Sequence, residues 1–308
     1  MADERSRQMF EADQAAYLEK AIKDFVQASP LNGFKSLGGG RIFDEPLVGF
    51  ADGDAPIFRE YKTIIGVFHL TPREALEHLL RSKNISERSV NISVISFVLP
   101  VTYKTRLSLR QETMVPSLKW NHTRWQGQDF IYELSRHVVA IVEQMGHHAI
   151  APEVADFYKI KNVPGLLASN WSQRHIAYAA GLGTFSVNDG FITCKGMAMR
   201  CGSVVTDAQI EATARTYENH LANCLFYSEG SCLKCASRCP AGAISENGHD
   251  KDKCLEFLFN RQKEIVKELH REEGYIGRYL GCGLCQTKVP CEATIPPRTN
   301  QTVSQEIT

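Results

Sequence analysis

Between residues 11 and 28 apolar positions recur with helical period. Ala15, Leu18, Ala21, Ile22, Phe25 and Val26 share a face, charged residues fall between them, and Pro30 ends the run. A Gly-rich turn, Gly38-Gly39-Gly40, follows. The short apolar run from Thr63 to Phe68 predicts a buried strand. Thr71-Pro72-Arg73-Glu74 predicts a helix start: threonine caps free N–H groups, proline suits the first helical position, and the glutamate reaches back. Ala75, Leu76, Leu79 and Leu80 then form its inner face.

Val90 to Val101 is rich in Val and Ile and predicts a core strand ending at Pro100. Thr102 to Gly127 is polar with scattered aromatics, Tyr103, Trp120 and Trp125, a length that in a compact domain is functional or partly helical. Helical period returns from Gln128 to Gln144, with Gly146 as its stop. Further on come a short strand at His148 to Pro152 and a short helix at Ser172 to Ala180 ending at Gly181. Asn188-Asp189-Gly190 turns between runs Thr184–Val187 and Phe191–Lys195, and another strand lies near Gly202 to Thr206. The pattern predicts an α/β (α+β) domain over residues 1–215 and a cysteine-rich module over residues 216–308.

Composition fits an ordinary globular protein. The chain has 308 residues, 43% of them hydrophobic, enough for one large domain plus a small one. Thirty-five basic residues balance thirty-five acidic ones. A protein that grips nucleic acid usually carries a basic surplus, so the balance argues against that role. No run approaches the roughly 18 apolar residues of a membrane span. The N-terminus lacks an apolar secretory core and a twin-arginine pair, so a cytoplasmic location is expected, with no membrane partner.

Chemistry enters with the cysteines. Eight of the ten lie between residues 224 and 291, and Cys232-Leu-Lys-Cys235-Ala-Ser-Arg-Cys239-Pro240 is the rear part of the bacterial ferredoxin ligand pattern. A turn with two residues between thiolates reaches neighbouring corners of one cube, whereas a cysteine three residues on, followed by proline, points away to a second. The spacing therefore predicts two 4Fe-4S clusters. Cys232 and Cys235, with Cys291, hold the first; Cys239, Cys282 and Cys285, with Cys254, hold the second. The full pattern wants a cysteine at 229, where this chain has Glu229, and Cys224 is the substitute.

Two rivals are weaker. A disulfide framework suits a secreted chain, not one with reduced cytosolic thiols. Paired Cys-x-x-Cys units also hold zinc, but zinc ribbons rarely add a third cysteine four residues on with proline after it. Cys194 and Cys201 lie outside the segment in apolar, strand-like surroundings and are expected to be buried inert thiols.

Three stretches bring a family into view: Val94 to Pro100; Ala179-Ala180-Gly181-Leu182-Gly183-Thr184-Phe185 with Ile192 and Gly202 to Asp207; and the cysteine module with Ala241-Gly242-Ala243-Ile244 and Gly281-Cys282-Gly283-Leu284-Cys285-Gln286. In that order, over roughly residues 90 to 295, they resemble the epoxyqueuosine reductase and reductive dehalogenase superfamily. The resemblance implies a nitroreductase-like α/β domain that binds cobalamin and a C-terminal two-cluster ferredoxin-like domain. It implies electrons from a low-potential donor of ferredoxin or flavodoxin type, passed through the clusters to cobalt, and reductive C–O or C–halogen cleavage.

Gly181, Leu182, Gly183, Thr184 and Phe185 are the expected corrin contacts, since glycines let backbone approach a flat ligand. Epoxyqueuosine reductases carry an acidic proton donor upstream of this motif. The corresponding Leu166-Leu167-Ala168-Ser169-Asn170-Trp171 has no carboxylate, which leaves Tyr103, Arg174 and His175 as catalytic candidates, with Tyr178 also able to donate. Glu153 and Asp156 read as solvated. The family's longer members continue into helical repeats that help hold tRNA; this sequence ends at Thr308, which with zero net charge argues against a tRNA substrate and for a small molecule or a partner corrinoid protein. The alternative function is a non-catalytic ferredoxin-type electron carrier that reduces such a partner.

Overall fold

The computed structural model describes residues 4–86, 91–163 and 165–298. Packing divides the chain into two compact units. One comprises Met1–Leu99, Gln126–Leu182 and Arg200–Thr216; the other comprises Pro100–Trp125, Gly183–Met199 and Tyr217–Thr308. Two segments from the first 215 residues thus pack with the cysteine-rich stretch.

The first unit mixes helices with a four-stranded sheet in the order Leu47–Asp52, Ser93–Pro100, Met199–Thr206, Ala149–Ile150. Both outer pairs run antiparallel. Every residue of Ser93–Pro100 is buried, which explains its near-continuous apolar run: a central strand covered on both faces has no solvent side to alternate with. Leu18, Ile22 and Val26 of helix Gln14–Ala28 and Phe130, Ile131, Leu134 and Val138 of helix Leu118–Gln144 are buried as well. Each such side chain contributes on the order of 1.5–3 kcal/mol by leaving water.

The helical run expected at 11–28 is split. Asp13 adopts an extended conformation and its carboxylate accepts from Ala16 N–H at 2.9 Å, ending helix Glu4–Ala12 and starting Gln14–Ala28. The capping box at Thr71 and Glu74 forms as its spacing predicts. The strand expected at Thr63–Phe68 does not form. The run begins inside helix Pro56–Ile64, whose buried face is Phe58 and Tyr61, and Ile64 and Val67 are left outside, Val67 at 85% exposure. A six-residue apolar window is too short to distinguish a strand from the end of a helix. The polar stretch from Thr102 holds helix Tyr103–Arg110 and the first turns of Leu118–Gln144. Val90, where the core strand was expected to begin, lies outside the described residues.

His69 is 0% exposed in this unit, accepts from Ser172 N–H through Nε2 at 3.0 Å and stacks on Trp171. Burial, helped by the Lys62 cation, lowers its pKa to about 4. A histidine whose folded pKa lies below its unfolded value of about 6.5 adds acid sensitivity: full stability holds above about 6.5 and is lost as pH falls toward 4. The loss should amount to about 3 kcal/mol. Denaturant melts at pH 7 and pH 4.5 should show a smaller acid loss in His69→Gln than in the natural protein; equal losses would reject this account.

The second unit is built from short pieces: helix Tyr103–Arg110, hairpin Thr184–Phe185 with Phe191–Ile192, helices Leu225–Glu229 and Lys234–Ser237, hairpin Ile244–Ser245 with Gly248–His249, and a longer helical stretch from Lys251 to Glu268. That stretch contains a π-helical turn at Phe257–Arg261. Among the described residues, no helix is long and apolar enough to cross a membrane.

Candidate metal centre

None of the ten cysteines is in a disulfide. In the second unit, eight of them gather as two sets of four. Cys224, Cys232, Cys235 and Cys291 line one pocket, with Val187, Met197, Leu225, Val289 and Pro290 among its walls. Among the described residues, no charged side chain lines this pocket. Cys224 caps helix Leu225–Glu229, and Gly230, left-handed at φ 65°, turns the chain back so that Cys232 and Cys235 face it. Glu229, in the pattern's first position, lies at the end of that helix, and the sulfur of Cys224 lines the pocket. Cys291 arrives from the far end: its carbonyl accepts from Met197 N–H at 2.9 Å, and its sulfur lies 3.8 Å from Met197 Sδ.

Burial, then the neighbouring Cys224 and Cys232, push the Cys235 thiol up to about 11. Burial, then Cys224, Cys235 and Cys232, raise Cys291 to about 12. The second set is Cys239, Cys254, Cys282 and Cys285. Burial raises Cys282 to about 12 and also raises Cys285 well above the ordinary thiol range, and in both the nearby Cys254 and Cys239 add to the effect. Thiolates gathered this way repel one another, and cationic metal in their midst reverses the balance by displacing the protons. Among the described residues, no three Cys, His, Asp or Glu side chains converge closely enough to hold a single ion. The first set surrounds a space, and soft sulfur donors around a space suit an iron-sulfur cube.

The second set has a polar surround that sequence reasoning missed. Gln262 is 0% exposed and its amide has no partner among the described residues besides the side chain of Cys282. The π-helical turn places it there. Cys254 and Gln262 are eight residues apart, an offset of roughly 80° in a regular helix, but a π-turn absorbs about one residue and brings the pair to within roughly 20° of a common face. The buried, otherwise unpartnered amide fits a thiolate or sulfide acceptor beside Cys282. His249 hydrogen-bonds both Asp189 (3.1 Å from Nδ1) and the side chain of Cys254, and these partners raise its pKa to about 9. Ala243 N–H donates to Cys239 Sγ at 3.4 Å.

Arg238, directly before Cys239, donates to three backbone carbonyls: Thr287 at 3.1 Å, Glu112 at 2.9 Å and Leu109 at 3.3 Å. Burial works against its charge, while Cys282, Cys285 and Glu292 favour it. Among the described residues, no carboxylate lies within ion-pair distance of its guanidinium. Glu292, only 2% exposed, anchors the loop between Cys285 and Cys291. It accepts from Lys288 N–H at 2.7 Å, Arg106 at 3.1 Å and Arg110 at 2.8 Å.

The other expected site residues are scattered. Tyr103 lies exposed in the second unit with Arg106 and Arg110 over its ring. Arg174 and His175 belong to the first unit. Arg174 is exposed, and His175 is tied by Nδ1 to Ser172 Oγ at 2.8 Å and by its carbonyl to Tyr61 OH at 2.7 Å. Glu153, read as solvated, is half-buried and accepts from Gln128 at 3.3 Å and Gln173 at 3.0 Å. Cys194 is exposed, contrary to expectation, because it sits in a tight turn closed by Thr193 and Gly196. Cys201 is partly buried and burial raises its thiol to about 12, as befits an inert group.

In the stretch 181–185, internal packing accounts for both glycines. Gly181 is left-handed at φ 74°, and a Cβ there would meet Ala214 O at 2.9 Å; at Gly183 it would meet Ile192 O at 2.4 Å. Leu182 is buried, and the hydroxyl of Thr184, 0% exposed, accepts from Asn223 N–H at 2.9 Å. Phe185 packs edge-on to Phe191.

No family model matches the chain. Two curated relatives do. The epoxyqueuosine reductase of Bacillus anthracis is 32% identical over 122 residues, 39% of this chain and 29% of that protein. The epoxyqueuosine reductase of Gloeobacter violaceus is 33% identical over 119 residues, 37% of this chain and 34% of that protein. The match therefore spans about a third of these relatives' length. Among solved structures, an epoxyqueuosine reductase superposes with a TM-score of 0.49 at 16% identity, covering 90% of this chain and 66% of that one. A catabolic reductive dehalogenase superposes with a TM-score of 0.41 at 16% identity, covering 79% and 34%. Over about 120 residues the chain is thus similar to epoxyqueuosine reductases, the proteins that its motifs resemble.

Proposed function

We propose that this protein is an iron-sulfur oxidoreductase of epoxyqueuosine reductase type. In this reading Cys224, Cys232, Cys235 and Cys291 hold one 4Fe-4S cluster, and Cys239, Cys254, Cys282 and Cys285 hold a second. The observation that carries it is the sorting of eight cysteines, from widely separated stretches, into two convergent sets of four. When bound, the clusters supply one-electron steps at potentials tuned by charge and hydrogen bonds. The protein's own part is to hold the sulfurs, exclude water with Val187, Met197 and Val289, and brace the loop before Cys291 through Glu292.

The resemblance adds a cobalamin in the α/β unit, which when bound supplies low-valent cobalt for reductive cleavage of a carbon–oxygen or carbon–halogen bond. Leu182 and Thr184 are committed to packing, so corrin contact from this stretch in the α/β unit falls to the backbone around Gly181. A low-potential ferredoxin or flavodoxin is the proposed donor, and a small molecule the proposed substrate. Cobalamin added to anaerobic, cluster-loaded protein should bind and be reduced, seen as a change in the cobalt absorption and paramagnetic signals.

A second reading is an electron carrier without catalysis, which reduces a partner such as a corrinoid protein. The packing role of residues 181–185 and the lack of a carboxylate at 166–171 favour it. Intact clusters without cobalamin binding, together with stoichiometric reduction of a corrinoid partner, would select it.

A further inference from the structure

The surroundings of the two cysteine sets differ in a way that bears on the direction of electron flow. The first set faces Val187, Met197, Leu225, Val289 and prolines, with no charged side chain among the described residues of the pocket lining. The second set has Arg238 beside Cys282 and Cys285, Gln262 against Cys282, His249 on Cys254, and Ala243 N–H on Cys239. Arginine stays charged at any pH a protein survives. Here it is held by carbonyls of Leu109, Glu112 and Thr287, and the carboxylate that acts on it, Glu292, is itself paired with Arg106 and Arg110. An electron added to a cluster increases its negative charge, and nearby cations and sulfur-directed donors stabilise that reduced state.

Building on the two-cluster reading, we propose that the cluster held by Cys239, Cys254, Cys282 and Cys285 has the higher reduction potential of the two, and that Arg238 is a main cause. One electron then passes spontaneously from the reduced first cluster to the oxidised second; the first is oxidised, the second is reduced, and no bond forms or breaks. Arg238 acts through charge and touches no substrate, so it is a tuning residue and its readout is a potential.

The test is a potentiometric titration of the anaerobic full-length protein, followed by paramagnetic resonance after iron and sulfide have been measured. Two one-electron waves are expected. Cys235→Ser should remove the lower wave and Cys282→Ser the higher. Arg238→Gln should shift the higher wave downward by about tenfold in its reduction equilibrium, ~59 mV, and leave the lower wave in place. Arg238→Lys should restore most of the shift, and Gln262→Leu should give a smaller one in the same direction. If Cys282→Ser removes the lower wave, or if neither Arg238→Gln nor Gln262→Leu moves the higher one, the ordering is overturned. Protein without iron and sulfide would overturn the two-cluster reading itself, and the ordering with it.

Discussion

Cys235→Ser and Cys282→Ser should each lower the metal content of anaerobic protein from about eight irons and eight sulfides to about four of each. The two losses should be independent, because the sulfurs fall into separate sets: Cys235 is grouped with Cys224, Cys232 and Cys291, and Cys282 with Cys239 and Cys254. The helix content of the first unit should survive in both variants, since its core of Phe97, Val98, Leu134 and Val138 contains no cysteine. Circular dichroism alongside iron and sulfide analysis checks both halves of this expectation. Loss of all iron from either single variant would mean that the eight cysteines serve one shared centre.

Glu292→Ala should destabilise the cysteine-rich unit by about 3–5 kcal/mol, the cost of removing one partner from a buried ion pair. The carboxylate is nearly fully buried, and its loss strands Arg106 and Arg110 and frees the N–H of Lys288, a residue held at φ 59°. That N–H lies in the loop between Cys285 and Cys291, so the damage should also reach the first cysteine set. Glu292→Gln keeps an acceptor for Lys288 N–H but removes the charge, and should cost roughly half as much. Denaturant unfolding of the two variants gives the comparison. Stability unchanged in Glu292→Ala would show that the arginines find equivalent partners and that the loop needs no anchor.

Much of the site's sulfur arrangement was legible from spacing. The Cys-x-x-Cys-x-x-x-Cys-Pro run restricts which sulfurs can face together; in the fold Cys224, Cys232, Cys235 and Cys291 line one pocket, and Cys239 and Cys254 lie near Cys282 and Cys285. The surround was not legible. Gln262 meets Cys282 only because a π-turn shifts the helix by a residue, and no periodicity argument anticipates that turn. Arg238 could be seen beside Cys239, but its carbonyl partners, Leu109 and Glu112, are more than a hundred residues away in sequence. Glu292 reads as one more surface acid until Arg106 and Arg110 are placed on it.

In the α/β unit the long signals were readable and the short ones were not. Helix Gln14–Ala28 and strand Ser93–Pro100 follow from period and from continuous burial. Thr63–Phe68 misled because apolar residues there are surplus to a helix face already filled by Phe58 and Tyr61. Gly181 illustrates a different limit. A glycine needed for a left-handed turn against Ala214 and a glycine needed beneath a ligand look alike in sequence.

The central claim is that two inorganic cubes occupy the two cysteine sets. Iron, zinc and acid-labile sulfide measured together on protein purified without oxygen test it most directly. The account predicts about eight irons and eight sulfides per chain with little zinc; zinc without sulfide would contradict it.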